Sequence, residues 1–113
     1  MFEIRKLAAS SRSAGKKFAD AVKDDKGASK WFCSEPLSAE HAGITVEDSA
    51  HMTNDGIRLV FSAVEADVAK EIEPRCAADI PVISTASAFR YEPDVPVFLP
   101  AVNLDHVQGP GGV

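Results

Sequence analysis

Three segments in direct succession constrain this chain more than any other feature. Residues 57–64 (IRLVFSAV) are apolar and β-branched, as a buried parallel strand should be. Residues 65–78 (EADVAKEIEPRCAA) carry Ala66, Ala69, Ile72 and Cys76 at three- and four-residue spacing, which predicts an amphipathic helix. Its opening acids suit a helix N-terminus, and Pro74 is expected to kink the helix or end it early. Asp79-Ile80-Pro81 then turns the chain into a second apolar strand, beginning at Val82-Ile83. A strand, a helix and a strand within about 30 residues make a βαβ unit. The fold class expected is α/β with parallel strands.

In such sheets, ligands bind outside the carboxyl ends of the strands. Ser62 and Ala63 close the first strand and are small enough to let a planar ligand approach the backbone. Residues 82–103 (VISTASAFRYEPDVPVFLPAVN) read as an apolar strand, a small-polar loop, a proline-marked turn and a second apolar strand. The loop combines the hydroxyls of Ser84, Thr85 and Ser87 with one cation, Arg90.

Ahead of this unit, residues 2–9 (FEIRKLAA) read as a strand that ends in a break, SSRSAGKK, at residues 10–17. Serine hydroxyls and backbone N–H groups donate to phosphate oxygens, and Arg12 can grip a phosphate bidentately. At the end of a second Rossmann strand, an arginine commonly reads the 2′-phosphate of NADP. The alternative is a solvated basic loop. Short helix potential follows at residues 18–23, then irregular chain. Trp31 and Phe32 are expected to pack on the domain, and Cys33 to be a small packed thiol. A helical turn opens at Ser38 and ends at Gly43, and residues 44–48 form a short edge strand. Asn54-Asp55-Gly56 suits positive φ before the next strand.

Length and charge narrow the function classes. At 113 residues the chain is at most one domain, and its net charge of −5 argues against nucleic acid. Five cations within the first seventeen positions (Arg5, Lys6, Arg12, Lys16 and Lys17) fit a small anionic ligand. Two cysteines, Cys33 and Cys76, make no disulfide framework, so a reduced, cytoplasmic setting is expected. No apolar run approaches the ~18 residues of a membrane span, and no secretory signal opens the chain. His41 and His51 have no paired ligand at metal spacing, so no metal site is expected. The domain is expected to span residues 1–107, with a disordered tail at 108–113.

FEIRKLAASSRSAGKKF, LVFSAVEADVAKEIE and PVISTASAFRYEPDVPVFLPAVNLDH, in this order and spacing, resemble the aspartate-semialdehyde dehydrogenases. SSRSAGKK looks most like the fungal branch. The resemblance covers nearly all of residues 2–106 and is weakest from about 24 to 56. It implies a partial Rossmann-like, three-layer α/β domain. It also implies NADPH-dependent reduction of aspartyl phosphate to aspartate semialdehyde, with release of phosphate. By resemblance, Ser10, Ser11, Arg12 and Ser13 take the adenosine 2′-phosphate, and Ser62 and Ala63 flank the adenine side. Ser84 and Thr85 stand where the family usually carries Ser-Asn near the cofactor. Arg90 matches the arginine that grips the substrate phosphate. Asn103 belongs to a strand end that leads toward the catalytic region.

The departures from the family are specific. Its first strand and G-A-T-G-x-V-G loop, which hold the pyrophosphate at a helix N-terminus, have no counterpart here. Neither Cys33 nor Cys76 matches the nucleophilic cysteine, and His106 does not match the catalytic histidine, so no catalytic residue is assigned. The expectation is a partial product, inactive alone, whose missing strand leaves apolar surface and favours association with itself or with a full-length subunit. Competing readings are a non-catalytic nucleotide-binding or subunit-interaction module, and a related acyl-phosphate reductase such as N-acetyl-glutamyl-phosphate reductase.

Overall fold

The structure is a computed structural model that describes residues 2–106. The tail expected at 108–113 lies outside the described residues. Residues up to Arg58 form one compact unit, and those from Leu59 onward form a second.

In the first unit, β1 (Ala8–Ala9) runs parallel to β2 (Glu47–Asp48), with Ala8 opposite Glu47 and Ala9 opposite Asp48. The Glu47 and Ser49 N–H groups donate to the Leu7 and Ala9 carbonyls, both at 2.8 Å. The strand expected over residues 2–9 is therefore much shorter. A ladder extends only as far as its partner, and β2 ends where the chain turns at Ser49-Ala50. Phe2 and Ile4 are exposed. Among the described residues of this unit, Val46 is the buried apolar one.

Two short helices follow the sequence closely. α1 (Phe18–Ala21) lies after the basic loop. α2 (Ala39–Ala42) has the Ser38 hydroxyl accepting from the His41 N–H at 3.2 Å, and it ends at Gly43. Gly56 takes φ +72°, as the Asn-Asp-Gly turn requires. Trp31 packs edge-on against Phe18, with ring centroids 6.2 Å apart, and donates from Nε1 to the Glu35 carbonyl. Phe32 does not pack: it is 88 % exposed, and Cys33 is exposed as well. In extended chain, consecutive side chains point to opposite sides, so Trp31 takes the inward side and Phe32 the outward one.

In the second unit, β3 (Val60–Ser62), α3 (Ala66–Ala77) and β4 (Val82–Ser84) form the expected parallel βαβ unit. Val60, Phe61 and Ser62 stand opposite Val82, Ile83 and Ser84. α3 packs on both strands and buries Ala69, Ile72, Glu73 and Cys76. The strand is not buried on both faces as its composition predicted. Phe61 is 62 % and Ile83 44 % exposed, because they share the pleat face opposite Ser62 and Ser84.

The early helix end expected at Pro74 and the second strand expected after the proline-marked turn are corrected. Pro74 lies inside α3, which continues to Ala77, and the Pro74 carbonyl still accepts from the Ala78 N–H at 3.1 Å. Proline withholds only the bond to the Lys70 carbonyl, and burial of Ile72 and Cys76 on either side holds the remaining turns. Residues 95–102 form no strand. Pro93, Pro96 and Pro100 remove ladder donors, and the chain turns instead, with Val102 and Asn103 N–H groups donating to the Leu99 carbonyl. Val95, Val97, Leu99 and Val102 are exposed, and a 3-10 turn spans Leu104–His106. No helix among the described residues is long and apolar enough to cross a membrane.

Candidate functional site

The basic loop is fixed by its backbone. The Ser10 carbonyl accepts from the Ser13 and Ala14 N–H groups at 2.9 and 3.2 Å. Gly15, at φ +83°, sends its N–H to the Val46 carbonyl, and the Val46 N–H returns to the Lys16 carbonyl, both at 2.8 Å. Buried Val46 thus anchors the end of the loop. Ser10, Ser11 and Arg12 are exposed, and Ser13 is half-buried. Among the described residues, Arg12 has neither an ion pair nor a hydrogen-bond partner for its guanidinium. A fixed turn that presents a free guanidinium beside serine hydroxyls suits a phosphate.

The carboxyl edge of β3 and β4 gathers a second group of the expected residues. The Thr85 N–H donates to the Ser62 carbonyl at 3.0 Å, continuing the ladder by one residue. Arg90 Nη2 donates to the Thr85 carbonyl at 3.3 Å, while its own N–H reaches the Ser87 carbonyl. Ser62, Ser84, Thr85 and Arg90 therefore meet at one strand edge, with Ala63 following directly after Ser62. Arg90 is exposed and uses a single guanidinium nitrogen on protein, which leaves donors for an anion. Among the described residues, the buried Ser62 hydroxyl has no hydrogen-bond partner.

The model of the semialdehyde dehydrogenase NAD-binding domain matches residues 1–109. The chain belongs to that family. It is 39 % identical over 104 residues to the aspartate-semialdehyde dehydrogenase of Methanothermobacter thermautotrophicus, covering 90 % of this chain and 27 % of that protein. It is 40 % identical over 108 residues to the Candida albicans enzyme, covering 94 % of this chain and 28 % of the relative. Among solved structures, the Candida albicans aspartate semialdehyde dehydrogenase with NADP has a TM-score of 0.80 at 39 % identity. That match covers 95 % of this chain and 28 % of the other. The chain thus spans a little over a quarter of the length of these relatives. The Rossmann-like α/β class holds, with its parallel strands in small sheets.

Glu73 is the site-edge residue that the sequence reading passed over. It is buried on α3, and its Oε1 accepts from the Ser84 hydroxyl at 2.6 Å. The signal was present, since Glu73 follows Ala69 by four residues and precedes Cys76 by three, on the buried face. Asn103 also differs from its expected role. Its Oδ1 accepts from the Leu99 N–H at 2.6 Å and its Nδ2 donates to the Val97 carbonyl at 2.9 Å, so it ties a turn.

Proposed function

We propose that this chain supplies part of the NADP and substrate-phosphate site of an aspartate-semialdehyde dehydrogenase. That enzyme reduces aspartyl phosphate to aspartate semialdehyde and releases phosphate, in the biosynthesis of lysine, threonine and methionine. The observation that carries the reading is likeness, over almost the whole chain, to a structure solved with NADP. Residues 1–107 then act as one incomplete NAD(P)-binding domain in a cytoplasmic protein.

The residue roles are those the family resemblance implies, and the chemistry of the side chains supports them. Ser10, Ser11, Arg12 and Ser13 receive the 2′-phosphate, for which the unpaired Arg12 is the principal support. Ser62 and Ala63 flank the adenine side, and Ser84 and Thr85 line the cofactor. Arg90 grips the acyl phosphate of the substrate with its free guanidinium edge. When bound, NADPH supplies the hydride. The residues named here bind and orient. Cys76 is buried on the inner face of α3, and Cys33 stands at no position matching the family's nucleophile.

Calorimetric titration of NADP⁺ and NAD⁺ into the chain tests this reading. NADP⁺ is expected to bind more tightly. Arg12→Ala should weaken NADP⁺ by roughly tenfold to a hundredfold, the loss of one charge-assisted hydrogen-bonding group, and leave NAD⁺ little changed. Equal affinity for the two nucleotides, or no binding of either, overturns it.

A second reading, a subunit-interaction module, draws on the exposed Phe61 and Ile83, which are direct partners across β3 and β4. An apolar sheet face of this kind favours association with itself or with a longer subunit. Light scattering checks it: Phe61→Ser should shift a dimer toward monomer.

A further inference from the structure

We propose that Glu73 is a positioning residue for the nucleotide, acting through Ser84. The inference rests on the reading above and adds to it a residue that contacts neither cofactor nor substrate. Glu73 sits on the buried face of α3 with 7 % of its surface exposed. Its Oε1 accepts a short hydrogen bond from the Ser84 hydroxyl at 2.6 Å. With its proton committed there, the Ser84 oxygen faces the chain ahead and accepts from the Ala86 N–H at 3.0 Å. The Thr85 N–H is held from the other side by the Ser62 carbonyl at 3.0 Å. The backbone from Ser84 to Ala86 is thus clamped from α3 and from β3 at once. Arg90 then hangs from the Thr85 carbonyl at 3.3 Å, so the clamp also sets where that guanidinium begins. Among the described residues Glu73 is the one buried carboxylate, on the helix face it shares with Ala69, Ile72 and Cys76.

The test compares Glu73→Ala, Glu73→Gln and Ser84→Ala in the full chain. Two quantities are read: the exchange rate of the Ala86 amide by NMR, and NADP⁺ affinity by calorimetry. Glu73→Ala and Ser84→Ala should each speed Ala86 exchange about tenfold and weaken NADP⁺ about tenfold. Glu73→Gln keeps an acceptor oxygen and should rescue both to within about threefold. If Glu73→Ala does not fold, Ser84→Ala against Glu73→Gln carries the comparison. NADP⁺ binding that Ser84→Ala and Glu73→Ala leave unchanged overturns the positioning role alone. Failure of the unsubstituted chain to bind NADP⁺ overturns the cofactor reading, and the positioning role with it.

Discussion

Ser62 and Ser84 stand directly opposite one another at the ends of two parallel strands, yet only one of their hydroxyls is satisfied. Ser84 donates to Glu73, while the Ser62 Oγ is buried with no partner among the described residues. The register explains the proximity, and the carboxylate of Glu73, which reaches Ser84, explains the asymmetry. An unsatisfied buried hydroxyl at a strand edge that faces a proposed ligand is a feature a packed core alone does not call for.

Ser62→Ala should therefore cost no stability. Removing a buried hydroxyl that lacks a partner relieves its desolvation penalty, and the expected change is a gain of about 1 kcal/mol or none. Urea unfolding followed by circular dichroism measures it. A loss greater than about 1 kcal/mol would falsify the view that this hydroxyl is unpartnered.

Gly15 links stability to the basic loop. Its φ is +83°, and a Cβ there would meet open space, so the cost of a side chain is conformational. Gly15→Ala should destabilise by about 1–2 kcal/mol, and Gly15→Asn by less, since asparagine tolerates the left-handed region better. Both should weaken NADP⁺ binding, because the Gly15 N–H to Val46 bond fixes the turn that carries Arg12. Melting curves of the two variants, with and without NADP⁺, decide it. Equal loss in the alanine and asparagine variants would point to sterics instead.

Pro74 offers a gain. Alanine at this position would supply the N–H that the Lys70 carbonyl lacks and remove the ring from the third turn of α3. Pro74→Ala should raise stability by about 1 kcal/mol, less than the full helix penalty of proline because the unfolded chain gains freedom as well. Helical circular dichroism should rise with it. A lower melting temperature would mean that the proline ring packs usefully where it is.

What was legible in the sequence follows from how far each signal is local. The βαβ unit was legible because residues 57–84 carry their own period, turn and helix face. The cap at Ser38 and the positive φ at Gly56 were legible for the same reason. Strand lengths were not, because a ladder ends where its partner ends, and the partner of residues 2–9 lies some forty residues away in sequence. Phe61 reads as core in composition, but a helix covers only one face of its strand. The stretch at 95–102 looked apolar enough for a strand, and its three flanking and interior prolines outweighed that. At the candidate site, the chemistry of Arg12, Arg90 and the serines beside them is what the proposal of phosphate binding rests on, and the structure adds their exposure and backbone setting. Glu73 was not singled out, because an acid on a helix is ordinarily assigned to solvent, and only its spacing from Ala69 and Cys76 marked it as inward.

Asn103 closes the turn that replaced the expected second strand, and its two bonds can be separated. The side-chain oxygen accepts from the Leu99 N–H at 2.6 Å, and the amide nitrogen donates to the Val97 carbonyl at 2.9 Å. Asn103→Asp keeps the acceptor and loses the donor, while Asn103→Ala loses both. The alanine variant should therefore free the Leu99 amide to exchange, with a local cost of about 1–2 kcal/mol, and the aspartate variant should keep that amide protected. The exposed valines and leucine around the turn add little burial to resist opening. The effect should accordingly stay local, with amide protection in β3 and β4 unchanged, as expected of a loop that opens independently of the strands. Site-resolved hydrogen exchange reads both quantities in one experiment. Matched loss of protection at Leu99 and across β3 and β4 would show that the turn is part of the cooperative unit, and the tie at Asn103 would then be worth more than its two hydrogen bonds.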